Sequence, residues 1–368
     1  MQVRCTQENF SKGLQVVSRV ATTKSSLPIL ANVLLQTEDG QLKLSATDLE
    51  LGVTTWIGAK VTNDGSITLP ARLLVDFVAN NNDQTLSIDL RDNEAVINSD
   101  RHKAVLKGLN ASDFPLIPKV ESKEKITIKA KILRQSLQEV GFAAALDDAR
   151  PVLNGIYFKI DTDALILAAT DSYRLAEKRI SYKGKEVGKS VIIPARTVNE
   201  LIRILPDTET EVSLVFTDNQ LLLLFDSTQV VSRLIEGTFP DYTQIIPKQA
   251  TTTATVDRSE LANAVKMANF FARDSAHNVR FKITPPTGLA INAVSAAIGQ
   301  NTATVPAQVS GDELEIAFNA NYILDAINAL KSETIRLEFS GLAAPGVFNS
   351  TDDDNYLSLV MPLRVDAP

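Results

Sequence analysis

Three arrangements in the sequence invite a chemical reading. Asp48 and Asp171 each close an Ala-Thr-Asp triplet, and paired carboxylates are the usual equipment for general acid–base work. Asp352-Asp353-Asp354 offers hard oxygen ligands for a divalent cation. Gly184-Lys185-Glu186-Val187-Gly188-Lys189-Ser190 has the glycines, lysine and serine of a phosphate-binding loop. None of the three survives its context. The two aspartates recur at equivalent places in a repeated sequence, so they are expected far apart, each in a turn or cap. The aspartate triplet reads as a solvated loop. The glycine segment has three residues between its glycines instead of four, and it leads into the apolar run Val191-Ile192-Ile193 and not a helix, so a charged hairpin turn is expected. No catalytic residue, metal or other cofactor is expected.

Composition narrows the classes further. The single cysteine, Cys5, excludes an intrachain disulfide and a cysteine-based zinc site, and two histidines, His102 and His277, leave little for a histidine cluster. A chain of 368 residues with 44% hydrophobic and 22% charged residues is ordinary globular material for two or three domains. The net charge of −7 argues against a uniformly basic coat for nucleic acid, while leaving room for a local basic surface. No stretch approaches the roughly 20 apolar residues that span a bilayer. Met1-Gln2-Val3-Arg4-Cys5-Thr6 lacks the apolar core of a signal peptide, so a cytoplasmic location is expected.

The chain repeats itself. Leu42-Lys43-Leu44-Ser45-Ala46-Thr47-Asp48 returns as Leu165-Ile166-Leu167-Ala168-Ala169-Thr170-Asp171, with a weaker copy at Leu289-Ala290-Ile291-Asn292-Ala293. Leu69-Pro70-Ala71-Arg72 is echoed by Ile193-Pro194-Ala195-Arg196 and, without the proline, by Ile316-Ala317-Phe318-Asn319. Asp113-Phe114-Pro115 matches Thr238-Phe239-Pro240. Three markers in one order at nearly one offset predict three domains, 1–121, 122–248 and 249–368, each too long for a solenoid unit and each expected to have its own core. The boundaries fall near Glu121-Ser122-Lys123 and Lys248-Gln249-Ala250.

Within a repeat, two helices and about eight strands are expected. Phe10, Leu14 and Val17 fall on one helical face, as do Leu133, Leu137 and Val140, and Leu261, Val265 and Ala268. Second helices are expected over 73–80, 197–205 and 322–330, with Pro70 and Pro194 suited to the first turn. The remainder alternates with period two between turns such as Glu38-Asp39-Gly40. The fold class is therefore α+β, a mostly antiparallel β shell with two helices in each domain.

Taken together, the repeat count, the Pro-Ala-Arg helices, the Ala-Thr-Asp strand ends, Leu153-Asn154-Gly155, Phe239-Pro240-Asp241-Tyr242 and the C-terminal Val360-Met361-Pro362-Leu363-Arg364 closely resemble the bacterial DNA polymerase III beta subunit family, the sliding clamps. The resemblance runs from Met1 to Val365. It implies a head-to-tail homodimer of six similar domains closed around duplex DNA, strands outside and helices lining the hole. It also implies as partners the replicative polymerase, an ATP-dependent clamp loader and other proteins with a clamp-binding motif, and no membrane. A ring holds DNA by topology, so weak, sequence-independent phosphate contacts suffice. The candidate lumenal set is Lys12, Arg19, Lys24, Arg72, Arg134, Arg150, Arg196, Arg203, Lys266 and Arg273, diluted by Asp76, Glu139, Glu200 and Asp325.

The resemblance further implies a pocket for partner peptides built from Leu153, Thr170, Ser172, Tyr173, Arg174, Leu175, Pro240, Gln244, Ile245, Asn319, Tyr322, Ala344, Gly346, Met361, Pro362, Leu363 and Arg364. An apolar cleft with some methionine suits leucine and phenylalanine anchors, with Thr170, Arg174, Asn319 and Arg364 as polar contacts. The tail Asp366-Ala367-Pro368 is expected to brush the pocket mouth. The dimer contact is expected to join Arg101, Ala104 and Leu106 to Phe270 and Phe271, a small residue facing two large ones. Rival readings are a peptide-binding scaffold that never encircles DNA and a metal-dependent enzyme acting on nucleic acid. The second lacks a spaced Asp/Glu/His cluster.

Overall fold

The computed structural model describes residues 1–22, 27–118, 125–147, 149–162, 164–184, 188–286 and 288–364. Lys24, Glu121-Ser122-Lys123, the Lys185–Val187 part of the glycine segment and Asp366–Pro368 lie outside the described residues.

Two helices recur in each copy of the repeat: α1 (Gln7–Val17) and α2 (Ala71–Ala79), α3 (Ala130–Gly141) and α4 (Ala195–Ile204), α5 (Arg258–Ala272) and α6 (Ala320–Ala329). The three apolar faces read from the sequence are the buried ones. Caps fix the starts. Thr6 accepts from the Asn9 amide at 3.2 Å, Asp257 from Glu260 at 2.9 Å and Asn319 from Asn321 at 2.9 Å, each satisfying a donor that the first helical turn leaves free. Pro70 and Pro194 lie one residue earlier than expected. Each ends the strand that feeds its helix, and α2 and α4 start two residues ahead of the expected ranges. The helix α1 lies close on the sheet because residue 13 is glycine: a Cβ there would stand 2.8 Å from Leu44 Cδ1.

Chain packing forms two units. One comprises Met1–Lys131, Lys183–Lys185 and Asn199–Leu234, and the other Ile132–Tyr182, Glu186–Val198 and Ile235–Pro368. The central copy is thus shared between units, its strands Lys125–Lys129 and Glu211–Arg233 in the first and Gly155–Ile180 in the second. In the first unit a five-stranded antiparallel sheet runs Lys60–Asn63, Gln2–Thr6, Thr85–Arg91, Glu94–Asn98, Lys103–Lys107, with the last strand at its edge. A nine-stranded sheet contains the pair Thr228–Arg233 and Leu51–Gly58, which joins the first and second copies with Val231 opposite Gly52. In the second unit a twelve-stranded sheet contains the pair Arg174–Ile180 and Tyr356–Val360, which joins the second and third copies with Leu359 opposite Leu175.

One strand of the third copy runs unbroken where the first copy has two, Leu51–Gly58 and Lys60–Asn63. Gly299–Gly311 changes neighbours along its length: residues 299–306 pair with Gly288–Ser295, and 307–311 pair with Thr252–Val256. Among the described residues its first half is therefore paired on one side only.

Candidate functional site

The sequence-derived pocket residues all belong to the second unit. Their floor is a core cluster of Ala145, Leu153, Ala168, Leu175, Ile192, Phe239, Tyr242, Val347 and Leu359. Leu153 and Leu175 are buried within it, so they supply the floor and not exposed anchors. Tyr157 stacks on Phe239 at 4.9 Å, and Tyr242 meets Phe239 edge-on at 6.2 Å while donating to Glu177 Oε2 at 2.5 Å. Burial, reinforced by that bond, raises the Tyr242 hydroxyl above its ordinary range.

The wall is the turn after Ala169. Thr170 Oγ1 donates to the Arg174 carbonyl at 2.6 Å and accepts from the Ser172 amide at 3.1 Å. Asp171 Oδ1 accepts from the amides of Tyr173 and Arg174 at 2.9 and 3.0 Å, the turn role expected of it. Ser172 has φ 78°, a left-handed conformation unusual for a residue with a Cβ. Arg150 holds that residue in place, donating to Ser172 Oγ at 2.7 Å and to the Asp171 carbonyl at 3.2 Å. Arg150, assigned from the sequence to phosphate contact, thus buttresses this turn.

Arg174 is the polar centre. It pairs with Asp171 at 3.0 Å and with Asp325, and its guanidinium lies 4.6 Å from the Tyr322 ring and 5.5 Å from Phe142. The partners Asp325 and Phe142 carry no sequence signal, because the chain separation hides them. The exposed Tyr173 stacks on Tyr322 at 6.4 Å. Asn319 spends its amide on the Asn321 N–H and the Ala276 carbonyl. The C-terminal segment is stapled from both sides, Met361 N–H to the Tyr173 carbonyl and Leu363 N–H to the Ala317 carbonyl, both 2.8 Å. Met361, Pro362 and Leu363 are half-buried, while Pro240, Gln244, Ile245 and Arg364 are exposed; Ala344 is half-buried and Gly346 packs against Phe318. The result is an apolar strip with Arg174, Thr170 and Asn319 already committed to shaping it.

Of the basic candidates, Lys12, Arg19, Arg72, Arg196, Arg203, Lys266 and Arg273 are exposed on or beside helices, and Arg134 is half-buried. Lys12 pairs with Glu8 at 2.6 Å, Arg203 with Glu200 at 2.9 Å, and Arg273 lies 5.3 Å from the Phe270 ring. Two of the diluting acids turn elsewhere: Asp325 to Arg174, and the buried Glu139 to Lys178 at 3.1 Å and Lys331 at 3.5 Å. At the expected dimer contact, Phe270 is 51% exposed and Phe271 half-buried. Leu106 points into its own core, and the neighbouring Val105, missed in the sequence, is 51% exposed. Arg101 is pinned to Asp83, Nε to Oδ1 at 2.7 Å and N–H to Oδ2 at 3.0 Å.

The remaining decoys have structural roles. Asp353 pairs with Lys178 and Asp352 accepts from Ser350. Asp48 Oδ1 accepts from the Leu51 amide at 2.8 Å. The glycine segment is flanked by strands at both ends. Among the described residues no helix is long and apolar enough to cross a membrane.

Comparisons with known proteins cover nearly the whole chain. The family models for the N-terminal, central and C-terminal domains of the DNA polymerase III beta subunit match residues 1–118, 127–241 and 243–364. The beta sliding clamps of Staphylococcus epidermidis and Staphylococcus aureus are each 28% identical over 374 residues, covering 99% of this chain and 99% of theirs. Among solved structures, the DNA polymerase sliding clamp of Bacillus subtilis aligns over 100% of both chains with a TM-score of 0.95 at 27% identity. A sliding clamp from Pseudomonas aeruginosa bound to griselimycin aligns over 99% of this chain and 100% of its own, also with a TM-score of 0.95 at 27% identity.

Proposed function

The chain belongs to the DNA polymerase III beta subunit family, the bacterial sliding clamps, and from that premise we propose how its own residues carry out the role. The role itself is the family's: a DNA sliding clamp that confers processivity on the replicative polymerase. Under this reading it is a non-enzymatic, cytoplasmic protein of three domains, 1–121, 122–248 and 249–368, that two copies close head to tail into a ring around duplex DNA.

One observation carries the ring. Two junctions between copies of the repeat are made inside the chain by the same strand pairing, Leu51–Gly58 with Thr228–Arg233 and Arg174–Ile180 with Tyr356–Val360. The corresponding strands left over are the edge strand Lys103–Lys107 and the one-sided first half of Gly299–Gly311. Joining them between two molecules repeats the junction and removes both open edges. The internal registers set the expected one. Val53 faces Val230 and Ala176 faces Ser358; the equivalent residues are Asn301 and Ala104. Cysteines placed at those two positions are therefore expected to form an intermolecular disulfide, with native Cys5 silent because burial pushes its thiol up to about 12. A dimer that cross-links only in another register would refute the pairing, and a chain that stays monomeric would refute the ring.

Basic side chains on the helices then face the duplex. Their contacts are individually weak and carry no sequence information, which permits sliding. The cleft around Arg174 receives the apolar linear motifs of the polymerase, of an ATP-dependent clamp loader and of other partners. Its apolar floor, stapled C-terminal segment and exposed Tyr173 support this reading.

A further inference from the structure

We propose that the groove between the turn Thr47–Gly52 and the segment Pro115–Pro118 is a second peptide-docking site, one that takes an apolar side chain followed by a carboxylate. The proposal rests on reading the cleft around Arg174 as a peptide site. The groove has a volume of about 300 Å³ and lies wholly within the first unit.

Its wall repeats the threonine and aspartate hydrogen bonds of the cleft's turn. Thr47 Oγ1 donates to the Leu51 carbonyl at 3.0 Å and accepts from the Leu49 amide at 3.0 Å, as Thr170 does with Arg174 and Ser172. Leu49 has φ 79° where Ser172 has 78°. The crossing strand is stapled alike, with Arg233 N–H to the Glu50 carbonyl and Met361 N–H to the Tyr173 carbonyl, both 2.8 Å. The repeat has therefore built the scaffold of the cleft twice.

What hangs on the scaffold differs, and the differences define the ligand. Leu49, a bulky residue in a conformation that favours glycine, holds its side chain 51% exposed, and Leu116 across the groove is 95% exposed. Two apolar side chains left in water on facing walls form an anchor site. Leu175 floors the cleft; the groove is floored instead by Ile117 packed over Gly52, where a Cβ would stand 2.9 Å from Ile117 Cγ2. Arg233 occupies the place of Met361. Its guanidinium pairs with no carboxylate among the described residues, although Glu50, at the place of Tyr173, lies directly across the strand pair from it. The unpaired guanidinium, lining the same groove as Leu49 and Leu116, is the group that a carboxylate next to the peptide's apolar side chain would meet.

The test uses the full chain and the fluorescein-labelled peptide Asp-Leu-Leu-Asp-Phe, followed by anisotropy at low and high salt. Two sites per chain are expected. Leu49→Gly, which keeps the turn's φ, and Arg233→Glu are each expected to weaken one site at least tenfold and leave the other intact. Tyr322→Ala is expected to do the reverse. With Arg233→Glu, a peptide carrying lysine in place of the aspartates is expected to regain the weakened site. A single site abolished by Tyr322→Ala would overturn the groove and keep the cleft. Binding indifferent to Tyr322→Ala would overturn the reading of the cleft itself. Two sites with neither moved by Leu49→Gly or Arg233→Glu would place the second elsewhere and overturn the proposal.

Discussion

Arg174 and Asp325, 151 residues apart in the chain, form an ion pair that ties the wall of the candidate cleft to helix α6. Arg174 is buried, Asp325 is about half exposed, and Asp171 and the Tyr322 ring complete the guanidinium's surroundings. On the same two elements Tyr173 stacks on Tyr322 at 6.4 Å.

Arg174→Ala leaves Asp171 and Asp325 facing each other across a void. The expected cost is about 3 kcal/mol, the low end for breaking a buried pair, because Asp325 reaches water. Peptide affinity is expected to fall about tenfold as the tyrosine stack loosens. Arg174→Lys should not restore it, since an ammonium lacks the planar fork. Urea unfolding and peptide titration measure both effects. Unchanged affinity would separate Arg174 from the cleft.

A second buried network lies at Glu139. Lys178 sits 3.1 Å from Glu139 Oε2, Gln135 donates to Oε1 at 2.9 Å, and Tyr356 donates to the Glu139 carbonyl at 3.2 Å. Glu139→Ala leaves the buried Lys178 ammonium with Asp353 as its one remaining carboxylate and is expected to cost about 2 kcal/mol. Adding Lys178→Met should recover much of that loss, which a double-mutant cycle by chemical denaturation reads as strong non-additivity.

Asp83 gives the clearest pH dependence. The Ser99 hydroxyl first, then Arg101, hold its carboxyl down to about 2. The folded pKa is depressed, so the stabilisation is fully present above the ordinary carboxylate value of about 3.9 and is lost as pH falls through about 2. The stability gap between the native chain and Asp83→Asn should therefore be constant above pH 4 and close between pH 4 and pH 2. A gap that does not change across that window would show the carboxylate charge to be irrelevant there.

Phe270 and Phe271 end helix α5, which packs on Gly299–Gly311. Phe271→Ala, and independently Val105→Asp, are expected to raise the dimer dissociation constant at least tenfold. Sedimentation at nanomolar concentration should then show monomer. A persistent dimer in both variants would move the interface away from these strands.

The repeat and the helix faces were legible in the sequence because both are periodic. Phe10, Leu14 and Val17 announce a buried stripe wherever the helix packs. The buried charges were not legible. Glu139 and Lys178 look like surface residues until long-range packing brings them together, and nothing in the sequence shows that Arg150 clamps the Ser172 turn. The divided strand Gly299–Gly311 also escaped, although Pro306 stands at the point where it exchanges neighbours. Leu49 carried a signal in principle: it occupies the place of Ser172 in the repeat, yet only the backbone angle shows that it is strained.

The central claim is enclosure, and retention on DNA of defined topology tests it most directly. The chain, loaded onto a nicked circular duplex by an ATP-dependent loader, is expected to stay bound through gel filtration at about 1 M salt, where phosphate contacts alone are largely lost. Cutting the circle once should release it within the time of the measurement. Equal retention on circular and linear DNA, or loss from both as salt rises, would contradict the account.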